Sequence, residues 1–135
     1  MSNSIQKIEG IGPKYAEALN NVGIKTTLNL LEAGCSKKGR QSLAEKTSIS
    51  ESTILKWVNM CDLFRINGVG GQFAELLEGA GVDTVKELRT RNAENLAEKM
   101  AEVNGVKRLC KVSPPTGIVS KWVEQAKGME PMVTY

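Results

Sequence analysis

The chain has 135 residues, with 18 Lys and Arg against 15 Asp and Glu and no His, a formal net charge of +3. That length buries a core without staples, the composition is globular rather than disordered, and so small an excess of positive charge permits an acidic partner without demanding one. Cys35, Cys61 and Cys110 are odd in number, far apart and without histidine, which argues against a disulfide framework or a zinc site and fits a reducing cytosol.

No segment alternates with period two for long, while apolar residues at helical spacing recur throughout, so the fold is expected to be all-α. The N-terminus lacks the apolar stretch of a signal peptide and no run approaches membrane-spanning length, so a cytoplasmic protein with no membrane contact is expected. Gly10-Ile11-Gly12 makes a tight turn, and Pro13 opens a helix with a stripe of Tyr15, Ala16, Leu19 and Val22 that Gly23 ends. Thr26 caps a short helix carrying Leu28, Leu30 and Leu31. Lys37, Lys38 and Arg40 read as a basic cluster in the following connection, where Ser36 is a candidate cap for a helix carrying Leu43 and Ala44. Ser50, with Glu51 in the first turn, caps a longer helix through Ile54, Trp57, Val58 and Cys61.

That helix runs almost directly into a second turn, Gly68-Val69-Gly70, followed by a helix with Phe73, Ala74, Leu77 and Ala80 that ends at Gly81. Thr84 caps Val85 and Leu88, Arg89 and Arg91 follow, and Asn92 caps a helix with Leu96, Ala97 and Met100. Lys107, Arg108 and Lys111 fall in an irregular stretch, Gly105 to Pro115, where Ser113-Pro114-Pro115-Thr116 forbids a continuous helix. A last helix carries Val119, Trp122 and Val123, and residues 129–135 read as a loosely ordered tail.

The second half repeats the first. Ile8 to Ile24 returns as Ile66 to Val82 with glycine and apolar positions kept, and the spacing from Thr26 to Thr84 is the same. Leu43-Ala44-Glu45-Lys46 recurs as Leu96-Ala97-Glu98-Lys99, and Trp57-Val58 as Trp122-Val123, at changed spacings that imply loop insertions. With no flexible linker between the copies, one compact domain over residues 1–128 is expected, its halves 1–64 and 65–128. In each copy the second glycine opens a helix whose free N–H groups form a concave anion site. A lone Gly-x-Gly is weak, but two copies, each with Ala and then Gly-hydrophobic at the same later positions, are far more specific.

The two hairpins resemble those of tandem helix-hairpin-helix proteins, which are SAM-domain-like helical bundles. A closer resemblance, to a bacterial family of that kind described as a domain of unknown function, rests on Leu30-Leu31-Glu32-Ala33-Gly34, Leu43-Ala44-Glu45-Lys46-Thr47, Trp57-Val58, Ala93-Glu94-Asn95-Leu96 and Trp122-Val123-Glu124-Gln125-Ala126-Lys127. The resemblance implies DNA binding without sequence preference, hairpin N–H groups meeting phosphates, with RNA second to DNA; some members use the scaffold for protein contacts only. Gly10, Ile11, Gly12 and Lys14 match the binding hairpin fully, while Gly68, Val69 and Gly70 match with Gln72 in place of the lysine. Lys14 adds a charge-assisted phosphate contact, and Lys37, Lys38 and Arg40 are candidates to extend the footprint if they share the hairpin face.

Residues 43–57 also resemble a DNA-reading helix-turn-helix, but Ser48 stands where glycine is usual, and Glu51 and Ser52 are poor readers of guanine, so a capped packing helix is preferred. Trp57 and Trp122, at matching places, read as core rather than stacking platforms. Without histidine, phosphate loop or paired acids, the chain is not expected to be an enzyme and calls for no cofactor or metal. The alternative to nucleic-acid binding is a protein-interaction or assembly module on the same scaffold, favoured by Gln72, Glu9 and the modest charge.

Overall fold

A computed structural model describes residues 4–135. Among them the chain is all-α, with eight helices, no strand and one isolated antiparallel bridge between Ser4 and Thr26. A 3-10 turn at Ile5–Lys7 precedes α1 (Pro13–Asn20), α2 (Thr27–Gly34), α3 (Lys37–Thr47), α4 (Glu51–Leu63), α5 (Gly71–Gly79), α6 (Val85–Leu88), α7 (Ala93–Lys107) and α8 (Thr116–Lys127). No described helix is long and apolar enough to cross a membrane. The chain divides into two compact units, one running to Asp62 and including Met132–Tyr135, the other Leu63–Pro131.

In the first unit the helix starts follow from capping chemistry. The Thr26 hydroxyl accepts from the Asn29 amide while the Asn29 side chain accepts from the Thr26 N–H, and the Ser36 and Ser50 hydroxyls accept from the Gly39 and Thr53 amides. The core gathers Leu19, Leu30, Leu31, Ile54, Trp57 and Val58. α2 closes on α4 through Gly34, where a Cβ would stand 2.6 Å from Val58 Cγ2. Of the three leucines that α2 carries, Leu28 is 47% exposed: with Leu30 and Leu31 inward, helical phase brings Thr27 and Gly34 to the buried stripe and turns Leu28 to solvent.

Lys37, Lys38 and Arg40 belong to the first turn of α3 and not to a loop, because Ser36 caps the helix at once. Arg40 shares the inward face with Leu43 and is buried; its guanidinium donates to the Gly34 carbonyl at 2.9 Å and the Thr134 carbonyl at 2.6 Å. Residues 129–135 carry no helix, yet Val133 is buried, the Thr134 N–H donates to the Cys35 carbonyl at 2.7 Å, and the Tyr135 ring lies 5.9 Å from Arg40 Cζ. Arg40 is thus the internal anchor of the C-terminal segment.

The second unit packs α7 on α5 and α8, and α6 on α8. Thr84 accepts from the Glu87 amide and Asn92 from the Asn95 amide, starting α6 and α7. Leu76, Leu77, Val85, Leu88, Met100, Val119 and Trp122 fill the core, and Gly79 lets Val103 of α7 approach α5, with an added Cβ only 2.9 Å from Val103 Cγ1. α7 persists through Gly105 to Lys107, where the sequence suggested irregular chain. It ends when Arg108, at φ 50°, gives its N–H to the Asn104 carbonyl at 2.8 Å. Ser48, at φ 62°, ends α3 the same way, which shows that the turn reserved for glycine in the sequence reading is filled by serine in the left-handed conformation.

Candidate functional site

The two hairpins have the same local geometry. In the first, the Ile8 amide donates to the Ile5 carbonyl at 3.1 Å and the Ile11 amide to Ile8 at 3.2 Å; in the second, Ile66 donates to Leu63 at 3.1 Å and Val69 to Ile66 at 3.2 Å. Ile11 and Val69 are buried as the anchors of their turns. Each following helix closes alike, Ile24 donating to Leu19 and Val82 to Leu77, both at 2.9 Å.

Within each hairpin the two glycines have different reasons to be there. Gly10 at φ 96° and Gly68 at φ 93° hold a conformation that a side chain resists, and a Cβ on them would point at an indole: 3.6 Å from Trp57 Nε1 and 3.3 Å from Trp122 Nε1. Gly12 and Gly70 sit at φ −88° and −96° in ordinary extended backbone, and a Cβ on either would meet nothing within 4 Å. Neither strain nor packing inside the protein requires glycine at those two positions.

Both tryptophans are buried, as expected for core residues, and each floors its own hairpin. Tyr15 meets Trp57 edge-on with ring centroids 5.1 Å apart, and Phe73 meets Trp122 at 5.2 Å. Tyr15 is 43% exposed despite its place in the expected stripe, because it covers the outer edge of the indole. The sequence shows each aromatic, but not that it meets a tryptophan some forty to fifty residues away.

Gly12 and Gly70 cap α1 and α5 without any side-chain hydrogen bond, so the first-turn amides face outward without a helical acceptor. Proline has no N–H, which leaves Lys14 and Tyr15 as the first-turn donors of α1, whereas α5 presents Gly71, Gln72 and Phe73. Lys14 and Gln72 are both exposed. One hairpin has the extra charge, the other the extra donor.

A second asymmetry was not legible in the sequence. The Gln125 side chain grips Asn67 at both ends, its Oε1 accepting the Asn67 N–H at 3.0 Å and its Nε2 donating to the Asn67 carbonyl at 3.3 Å. Glu9 takes the place of Asn67 in the first hairpin, and Met60 the place of Gln125 relative to its tryptophan.

Of the basic clusters, Lys37 and Lys38 are exposed while Arg40 is internal. Arg89 donates to the Lys127 carbonyl at 3.3 Å, and Arg91 to the Gly81 carbonyl at 2.9 Å with Glu87 at 3.7 Å, so these arginines tie elements together. Arg108 and Lys111 instead line a groove of about 720 Å3 together with Gln72 of the second hairpin.

Cys35, Cys61 and Cys110 are free thiols. Burial, aided by the neighbouring Asp62 charge, pushes the Cys61 thiol far up, and partial burial with the Glu75 charge raises Cys110. Among the described residues no three His, Cys, Asp or Glu side chains gather as a metal site. No curated protein and no solved structure matches the chain. Over residues 9–129 it matches one family model, and the chain belongs to that family, described as Domain of unknown function (DUF4332).

Proposed function

We propose that each unit is a helix-hairpin-helix element and that the protein binds nucleic acid, DNA before RNA, through phosphates and without sequence preference. The observation that carries this reading is the pair Gly12 and Gly70. A glycine in relaxed extended backbone, with open space where its Cβ would be, is explained by close approach of a ligand to the outward amides of the helix start. Lys14 adds a cation to the first of these sites. The reading involves no enzymatic step, and the three free thiols suit a reducing cytoplasm.

The test is the double substitution Gly12→Ala with Gly70→Ala, measured by DNA binding at low salt beside a denaturant melt. Alanine is a poorer cap than glycine but stiffens the unfolded chain, so stability should change by no more than about 0.5 kcal/mol. Affinity should fall about tenfold or more, as expected for the loss of charge-assisted hydrogen bonds. Unchanged affinity, or no binding by the wild-type chain, overturns the reading. The competing reading is a protein-interaction module, favoured by Glu9 and Gln72 at the hairpins; it gains if wild-type protein ignores every nucleic acid at low salt.

A further inference from the structure

We propose that the groove beside the second hairpin is a phosphodiester-binding channel in which Arg108 and Lys111 supply the charge that Gln72 does not. The inference rests on the nucleic-acid reading above and assigns it residues outside the hairpins.

The groove holds about 720 Å3, within the range of roughly 300–1,000 Å3 usual for ligand clefts. Its polar lining is Gln72, Asn104, Arg108, Lys111 and Ser113, with Cys110 between them. Two of these are cations, and among the described residues no carboxylate lines it. Glu75 acts on the Cys110 thiol from outside that lining and offsets part of the positive charge at one edge. Gln72 belongs both to this wall and to the first turn of α5, so a backbone lying against the α5 amides continues into the groove.

The floor is built to stay put. Asn104, buried at the end of α7, donates from Nδ2 to the Cys110 carbonyl at 3.0 Å and Ser113 Oγ at 3.1 Å, and accepts the Cys110 N–H on Oδ1 at 2.9 Å. One side chain thereby fixes the loop that carries Lys111, while the Asn104 carbonyl fixes Arg108 through its N–H. Arg108 occupies a left-handed position that glycine or asparagine would take with less strain. The fixed backbone sets where the Arg108 side chain leaves the chain, at the groove wall. In the first unit the charge stands on the hairpin itself, at Lys14.

The experiment compares the full wild-type chain with Arg108→Gln/Lys111→Gln and with a charge-matched control, Lys86→Gln/Lys99→Gln, outside the groove. Fluorescence anisotropy on labelled duplexes of unrelated sequence, at several salt concentrations, gives affinity and slope. The groove variant should lose about 1.8 units of log–log salt slope, two phosphate contacts' worth, with its melting curve unchanged. The control should lose clearly less. Equal losses in both variants reduce the effect to net charge and overturn the proposal. So does lost stability with unchanged binding, which would make Arg108 a helix-end cation only. If Lys14→Ala weakens binding while the groove variant does not, this inference fails and the hairpin reading stands; if wild-type chain binds nothing, both fall. Inorganic phosphate at matched ionic strength should compete only weakly, and full displacement by it would replace the nucleic-acid channel with a site for free phosphate.

Discussion

The first hairpin has Pro13 and Lys14 at its helix start and the second has Gly71 and Gln72, on turns whose hydrogen bonds agree within 0.1 Å. On the proposed phosphate-binding reading, the same backbone offers two ways of meeting an anion. One gives up an amide to proline and has a side-chain cation beside it. The other keeps three outward amides, braces its turn with Gln125, and has its cations on the loop at the end of α7. Conformation and charge are separable features of these units, since turn geometry depends on glycines and buried anchors whereas charge depends on exposed side chains that can change without disturbing the turn.

The comparison is broken most severely at its shared feature, the indole beneath each hairpin. Trp57→Ala and Trp122→Ala should each cost about 3–5 kcal/mol in denaturant unfolding, enough to threaten a domain of ordinary stability. A stable variant of either kind would show that the ring does not support its turn.

Next in size are Gly10→Ala and Gly68→Ala, each forcing a side chain into a left-handed position for about 1–3 kcal/mol. Gly68 should be the more sensitive, because its added Cβ would stand 3.3 Å from the indole nitrogen against 3.6 Å at Gly10. Thermal melts of the two variants check both the size and the order. Gln125→Ala should remove the brace of the second hairpin alone, at about 1 kcal/mol, and protection of the Asn67 amide from hydrogen exchange should drop. Unchanged exchange at Asn67 would mean that the contact does not stiffen the turn.

The smallest effects concern charge. Lys14→Ala should lower the salt slope of DNA binding by about 0.9, and Gln72→Lys should raise it by a similar amount, with little change in stability. If Gln72→Lys is silent while Lys14→Ala is not, position 72 does not meet a phosphate and the two hairpins are not used alike.

Much of the fold was legible because it is encoded locally. Thr26, Ser36, Ser50, Thr84 and Asn92 each cap the helix that the sequence assigned to them, and the glycines at 10, 23, 68 and 81 all adopt positive φ. A cap needs only an oxygen and an amide three residues on, and a left-handed turn needs only the absence of a Cβ, so neither depends on distant chain. The site was legible in part. Gly12, Lys14, Gly70 and Gln72 are exposed at helix starts, but Arg40, picked out as a surface cation, is buried under the C-terminal segment.

By itself, then, the sequence determined an all-α chain, its helix starts, the two glycine turns and the tryptophan at the same place in each copy. Tertiary structure alone decided that Leu28 faces solvent, that Arg40 anchors Thr134 rather than a ligand, that Gln125 holds Asn67, and that Arg108 and Lys111 share a groove with Gln72. The physical reason is range. Caps and turns are settled within a few residues, whereas the fate of a long polar side chain depends on which carbonyl, amide or groove wall the folded chain brings within its reach.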